Sequence, residues 1–201
     1  MAAGLLAAAG WDRTTPLVDP MCGSGTIAIE AALIAAGVAP AAGRELAFRF
    51  WPGFEPGTWA SVAAEIQNLR SEAGDPPRIV AVDRDAGAVD SARANAERAG
   101  VADLIEWRTA PIAELEPPDG AGGRPGLLVA NPPWGGRLDG GDLRNLYATL
   151  GRVASEGFGG WSLGVLVADR TLARQVRPGL ADALQRDLGG RRAWFLTGRL
   201  H

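Results

Sequence analysis

Two short segments hold the residues whose types and spacing could do chemistry. Asn131-Pro132-Pro133-Trp134 follows the apolar run Leu127-Leu128-Val129, and Asp19-Pro20-Met21-Cys22-Gly23-Ser24-Gly25-Thr26 follows a second apolar run that begins at Pro16. An exocyclic amine on a base, or an amide, is a poor nucleophile because its lone pair is delocalised into the π-system. Its two N–H donors can be held by the Asn131 side-chain oxygen and the Pro132 carbonyl. Such acceptors favour pyramidalisation and aim the nitrogen lone pair at an electrophilic methyl. The prolines stiffen the acceptors. Trp134 offers a flat face for a base, and such stacking is worth roughly 1–3 kcal/mol. The gain is mostly positioning and electrostatics, so no general base of neutral pKa is needed. The plain alternative is a proline-rich turn over a buried tryptophan.

The Asp19 segment predicts strand, turn, helix. Gly23 and Gly25 let the backbone approach a ligand and adopt positive φ, and the helix that starts at Thr26 offers free N–H groups. Ala28 stands where a dinucleotide fingerprint has its third glycine, and no Gly-x-x-x-x-Gly-Lys run exists. Asp19 instead suits a cofactor with a free ammonium and no pyrophosphate, which S-adenosylmethionine is. The alternative is a strand–turn–helix with a capping aspartate. Cys22 sits inside this loop and reads as a small buried residue, not as a nucleophile. Between the two segments, Val80-Ala81-Val82-Asp83-Arg84-Asp85 puts an acid at a strand end. Asp83 there can accept both ribose hydroxyls of an adenosine, with Arg84 grouped beside it, while Asp85 reads as a helix cap.

Composition narrows the chemistry further. The lone histidine is His201 and the lone cysteine is Cys22, which disfavours histidine triads, histidine bases, metal sites and internal disulfides. A reducing cytoplasm is the expected location. No run approaches the roughly 18 apolar residues of a membrane helix. The net charge of −3 and pI near 5.2 show no global basic footprint for nucleic acid. Any grip on RNA is therefore expected from a local patch or from another domain.

The chemistry needs elements to hold it. Helices are expected over 2–10, Thr26 to Ala36, Thr58 to about Ala73, Ala86 to Ala99 and Leu143 to Ser155, with a mostly helical stretch from Thr171 to Leu188 that is broken near Pro178-Gly179. Strands are expected at Pro16 to Asp19, Arg78 to Val82, Leu104 to Arg108, Gly126 to Ala130, Ser162 to Ala168 and Arg192 to Leu196. The alternation predicts one α/β domain over 1–201, a doubly wound, mostly parallel Rossmann-like sheet with helices on both faces. The irregular 38–57 segment, with Phe48, Phe50, Trp51 and Phe54, is expected to pack on the sheet. Arg137, Arg144 and Arg152 are equally readable as phosphate contacts or as a solvated helix face.

These segments resemble the class I S-adenosylmethionine-dependent methyltransferases. The closer likeness is to the catalytic domain of RNA guanine-N2 methyltransferases, which often carry a THUMP domain upstream. It rests on Pro16 to Thr26 with Ile29-Glu30-Ala31-Ala32, Phe50-Trp51-Pro52, Ala92-Arg93-Ala94-Asn95-Ala96, Asn131-Pro132-Pro133-Trp134-Gly135 with Arg137, and Thr197-Gly198-Arg199-Leu200. The resemblance implies that Asp19, Cys22, Gly23, Gly25 and Thr26, with Glu30 nearby, line the methionine part of the cofactor. It implies that Asp83 and Arg84 lie at its ribose, that Asn131 borders both cofactor and substrate, and that Asn131, Pro132 and Trp134 hold the target base. Arg108-Thr109-Ala110 stands where many relatives place an acid for the adenine. An RNA-recruiting module and a final antiparallel strand are expected outside this chain, which would leave the last strand with an open edge.

The reading is methyl transfer from S-adenosylmethionine, with S-adenosylhomocysteine as product, to an exocyclic amine in ribosomal or transfer RNA, N2 of guanine first. Adenine N6 in RNA or DNA and a glutamine amide of a protein are the enzymatic alternatives. A catalytically silent module that binds cofactor and RNA is the non-enzymatic one. No membrane and no metal partner is expected.

Overall fold

Short strands buried on both faces need apolar side chains at every position, and that is how this chain spells its centre. In a computed structural model that describes residues 1–39, 45–71, 75–118, 124–135, 140–177 and 179–201, β1 (Leu17–Asp19) and β4 (Leu127–Ala130) are buried throughout. They pair in parallel, flanked by β2 (Ile79–Asp83), β3 (Ile105–Thr109) and β5 (Ser162–Val167). β6 (Ala181–Leu188) and β7 (Arg191–Arg199) complete the sheet, whose order is β3-β2-β1-β4-β5-β7-β6. β7 runs antiparallel to both β5 and β6. The sheet is therefore mostly parallel and doubly wound, as expected.

Helices cover both faces. Leu5 and Leu6 of α1 (Ala2–Ala8), Ala28 and Ala31 of α2 (Thr26–Ala35) and Ala92 and Ala96 of α4 (Ala86–Ala99) pack on one side. Leu143, Tyr147, Leu150 and Val153 of α5 (Gly140–Gly157) pack on the other, with Ala173 and Val176 of α6 (Arg170–Val176). Asp85 caps α4 by accepting from the Gly87 N–H at 2.8 Å, and Gly100 ends it in the left-handed region.

Three expectations change. The stretch from Thr171 to Leu188 is not mostly helical: the helix stops at Val176, and Ala181–Leu188 is strand. Its Ala, Leu, Gln and Arg favour helix locally, but Gly189 and Gly190 both take positive φ and turn the chain back. Pairing with β7, and packing of Leu184 and Leu188 on the core, then outweigh propensity. The antiparallel strand expected past His201 is β7 itself, and it lies between two partners, so the edge strand is β6. The aromatic segment does not pack on the sheet. Phe48 stacks on Phe54 and, edge-on at 5.2 Å, on Trp59 of α3 (Pro56–Ser71), while Phe50 and Trp51 remain 73% and 67% exposed.

The β5–β7 seam leaves no room for a side chain at Gly164. A Cβ on Gly164 would lie 2.5 Å from the ring of the fully buried Phe195. Gly164→Ala is expected to lower stability by about 1–3 kcal/mol, the usual cost of overpacking a core. Urea unfolding followed by far-UV circular dichroism measures it, and pairing the change with Phe195→Leu should recover part of the loss.

Candidate active site

In an open parallel sheet, ligands sit beyond the carboxyl ends of the strands, where the strand order reverses. Here the reversal falls between β1 and β4. The Asp19 segment leaves the end of β1 and the Asn131 segment leaves the end of β4, so the two chemistry-bearing motifs flank one crevice.

The glycine turn is built by close approach. Gly23 and Gly25 have φ of 51° and 82°. A Cβ on Gly25 would lie 2.9 Å from the Cβ of Ala92 in α4, so α4 presses directly on the turn. One helical turn along, Asn95 donates from Nδ2 to the Ser24 carbonyl at 2.8 Å. The Cys22 N–H donates to the Val82 carbonyl at 2.9 Å. Asp83 ties the assembly together. Its Oδ2 accepts from the Gly23 N–H and its Oδ1 from the Asp85 N–H, each at 3.0 Å.

Asp19 lies beneath this turn and not on its surface. It is 1% exposed, and its Oδ1 accepts from the Met21 N–H at 3.4 Å. Burial, with the nearby Asp83 carboxylate adding to it, pushes its carboxyl up to about 7. The same burial and the same two carboxylates push the buried Cys22 thiol up to about 12, which removes it as a nucleophile.

Above the turn lies a cleft of about 690 Å³, lined by Pro20, Met21, Gly23, Asp83, Arg84 and Ile112 on one side. Asn131, Pro133 and the α5 residues Asp142, Asn145, Leu146 and Thr149 line the other. Asn131 is exposed and Pro132 is buried. With Pro133 and Trp134 they border a second, shallower space of about 350 Å³. Trp134 is half-buried, its Nε1 donating to the Leu166 carbonyl at 3.3 Å. It also walls a third cleft of about 440 Å³ with Tyr147, Asp169, Leu172, Arg191, Arg192 and Trp194.

The structure thus brings Gly23, Asp83, Arg84 and Asn131 to one cleft. Thr26, at the start of α2, is exposed and its hydroxyl lies 3.1 Å from that of Ser24; Gly25 and Cys22 are buried in the turn. Arg152 pairs with Glu156 at 2.8 Å, and Arg144 is exposed on α5; Arg137 lies outside the described residues. Where the sequence reading found Arg108-Thr109-Ala110 in place of an acid, Arg108 pairs with Glu106 and Ile112 faces the cleft. The α5 lining residues were missed because their role depends on where α5 docks; the one available signal was the polar Asp142 and Asn145 within the otherwise apolar helix stripe.

Known proteins place the chain in a family. Residues 1–182 match the family described as "RMKL-like, methyltransferase domain". The chain belongs to that family. It is 39% identical, over 187 residues, to "Ribosomal RNA large subunit methyltransferase K/L" of Chromohalobacter salexigens, covering 88% of this chain and 25% of that protein. The chain therefore spans about a quarter of that relative's length. Two solved structures are also similar. One is "a putative methyltransferase complexed with SAH" (TM-score 0.87, 27% identity, all of this chain and 52% of the other). The other is "a predicted N6-adenine-specific DNA methylase" from Listeria monocytogenes str. 4b F2365 (TM-score 0.79, 33% identity, 97% of this chain and 50% of the other).

The family is one of methyltransferase domains, and the residues at this turn fit S-adenosylmethionine as the cofactor. A Cβ on Gly23 would meet nothing within 4 Å and would project into the space over the turn, so glycine keeps that space open. Asp83 spends one lone pair of each oxygen on the backbone and keeps two for hydroxyl donors.

Asp19 makes stability depend on pH. Its folded pKa of about 7 exceeds the unfolded 3.8, so the folded chain holds the proton more tightly. Stability is at its full value below about 3.8, falls as pH rises to about 7 and is flat above. Asp19→Asn cannot titrate. In the absence of cofactor its advantage over the natural chain should open between those limits and reach on the order of 4 kcal/mol at pH 8. Denaturant titrations from pH 4 to 8 read this out; a gap that stays constant across the series would refute the buried, proton-holding carboxyl.

Proposed function

We propose that this domain methylates an exocyclic amine of a nucleobase in RNA, and that the base is guanine, modified at N2 in ribosomal or transfer RNA. The observation that carries the reading is the continuity of the site. Asn131 borders both the cleft over the glycine turn and the space beside Pro132 and Trp134, and Trp134 in turn walls the cleft beyond. A planar amine offered from that far cleft meets the Asn131 and Pro132 acceptors at the rim of the cofactor cleft. S-adenosylmethionine supplies an activated methyl on a positively charged sulfur. The chain's residues do the rest: Asp83, the Gly23 turn and Arg84 hold the adenosyl end, with Thr26 and Glu30 near the turn, and Asn131 with Pro132 fixes the amine until its surplus proton passes to solvent. The relative named for large-subunit ribosomal RNA supports RNA as the acceptor.

Asp169 favours guanine over adenine. Its Oδ1 accepts from both the Thr171 hydroxyl and the Thr171 N–H at 2.7 Å, and these bonds hold the carboxyl below the usual range. The carboxylate stays charged and keeps acceptor capacity toward the cleft it lines. Guanine presents an N1–H donor beside N2, whereas adenine presents an N1 acceptor that a carboxylate repels. Tyr147 opposite keeps its proton, since burial and then Asp169 push its phenol up to about 12. Adenine N6 is the second reading, favoured by the name of the Listeria structure.

Nucleoside digests of RNA methylated by the domain decide between them: N2-methylguanosine is expected, and N6-methyladenosine would overturn the guanine reading. Asn131→Ala should lower turnover by on the order of a hundredfold or more with S-adenosylhomocysteine affinity unchanged. Asp83→Ala should weaken that affinity itself, and equal loss of binding in both variants would contradict the division of roles. Asp169→Asn keeps the helix cap but replaces the ionised carboxylate with a neutral amide. It should cut guanine transfer about tenfold or more, in line with 1–3 kcal/mol per base-edge contact, and leave cofactor binding intact.

A further inference from the structure

The charge of this chain is strongly segregated. From Arg170 to His201 it carries seven arginines against Asp182 and Asp187, a net of +5, whereas the 169 residues before them sum to −8. The fold places five of these arginines, Arg170, Arg174, Arg177, Arg191 and Arg192, around α6 and the β6–β7 tip, while Arg186 and Arg199 lie elsewhere on the sheet. Arg170 and Arg174, one turn apart on α6, and Arg177, in extended backbone just past its end, line a cleft of about 230 Å³. Arg170 is committed to Asp182 at 2.9 Å. Among the described residues, Arg174 and Arg177 make no ion pair. Across α6, Leu172 belongs to the cleft that holds Trp134 and Trp194, and the exposed Arg191 and Arg192 complete its rim at the tip of the β6–β7 hairpin. One short helix is thus the wall between the cleft beside the methyl-acceptor clamp and an arginine-lined cleft outside it.

We propose that α6 and the β6–β7 tip grip the sugar–phosphate backbone of the RNA that flanks the methylated base. Arg174 on the helix, Arg177 just past its end, and Arg191 and Arg192 on the hairpin, take its phosphates. This rests on the RNA reading above, but not on which base is modified. Guanidinium groups suit the task, being permanently charged and able to hold a phosphate through two parallel N–H donors. An overall acidic protein can bind a polyanion this way, because the contacts that release counterions are local.

The test is fluorescence anisotropy of a labelled, mixed-sequence single-stranded RNA over a salt series. Removing two phosphate contacts with Arg174→Ala and Arg177→Ala together should flatten the slope of log K against log salt by about 1.4 and weaken binding on the order of tenfold. The Lys pair should restore most of the slope, since it keeps the charge. Arg93→Ala with Arg152→Ala, on α4 and α5, should change neither quantity. S-adenosylhomocysteine affinity should be unaltered in every variant. If the Ala pair fails to bind S-adenosylhomocysteine, the Gln pair, which keeps the aliphatic stems, carries the same expectation. An unchanged slope in the Ala or Gln pair, or no RNA binding by the natural chain at low salt, would overturn the proposal. A flattened slope together with a product other than N2-methylguanosine would leave this surface standing and overturn only the guanine assignment.

Discussion

The contact on which the site depends is the one between the backbone of Gly25 and the Cβ of Ala92. With a side chain already impossible at Gly25, where 2.9 Å would separate the two Cβ atoms, α4 can lie against the turn itself. That approach puts Asn95 within reach of the Ser24 carbonyl and sets the end of β2 beside the end of β1. Asp83 can then accept from both the Gly23 turn and the Asp85 cap of the same helix. Three elements distant in sequence become one rigid floor. The run Ala92-Arg93-Ala94-Asn95-Ala96 is explained by the same contact: small residues where the helix touches the turn or the core, and an amide where a carbonyl needs a donor.

That floor is electrically unusual. Asp19 is buried and, among the described residues, makes no ion pair, and Asp83 adds a second carboxylate nearby. Burying a carboxylate without a counter-charge is costly, and a neighbour of the same sign adds to the cost. The result is a pocket floor that resists anionic chemistry. The Cys22 thiol cannot ionise in it, and a pyrophosphate would meet carboxylates where a phosphate loop offers lysine. A ligand that arrives with a positive sulfur and an ammonium meets the opposite situation, since its charge relieves the repulsion. The glycine geometry alone is shared with nucleotide-binding turns; the sign of the charge under it is what separates this site from them.

The centre of the fold was legible because its signals are local. Apolar runs that end in Asp19, Asp83 and Asn131 mark parallel strand ends, and Asp85 and Gly100 mark the limits of α4. The positions that were not legible depend on how distant elements dock. Asp142, Asn145, Leu146 and Thr149 line the cleft with Asn131 only because of where α5 docks, and their spacing reads equally as a surface helix. Asp19 reads as a cofactor ligand from its place before the turn, but its burial beneath the loop depends on how the turn closes over it and carries no local signal. Phe48 and Phe54 found partners in each other and in Trp59, a local solution that an apolar count assigns to the sheet.

The misread segment from Ala181 to Leu188 has the largest consequence. As a helix, it would leave Arg186 without a strand partner and the overall acidity as the governing fact. As the first strand of a hairpin, it sets Arg186 against Ala193 and brings the chain to Arg191 and Arg192 across a tight turn. Arg192 falls on the sheet face of Trp194 and Leu196, under α6, while Arg186 falls on the other face in register with Ala193. Two consecutive positive-φ glycines then carry Arg191 and Arg192 to the tip, where they share a cleft with Asp169 and Trp134. The cue was present in Gly189-Gly190, since paired glycines between two runs are a turn signal stronger than the helix propensity on either side. Net charge and pI average over such an arrangement and so conceal it; the strand register shows that Arg191 and Arg192 of this acidic chain come to the tip beside the cleft of Trp134 and Trp194.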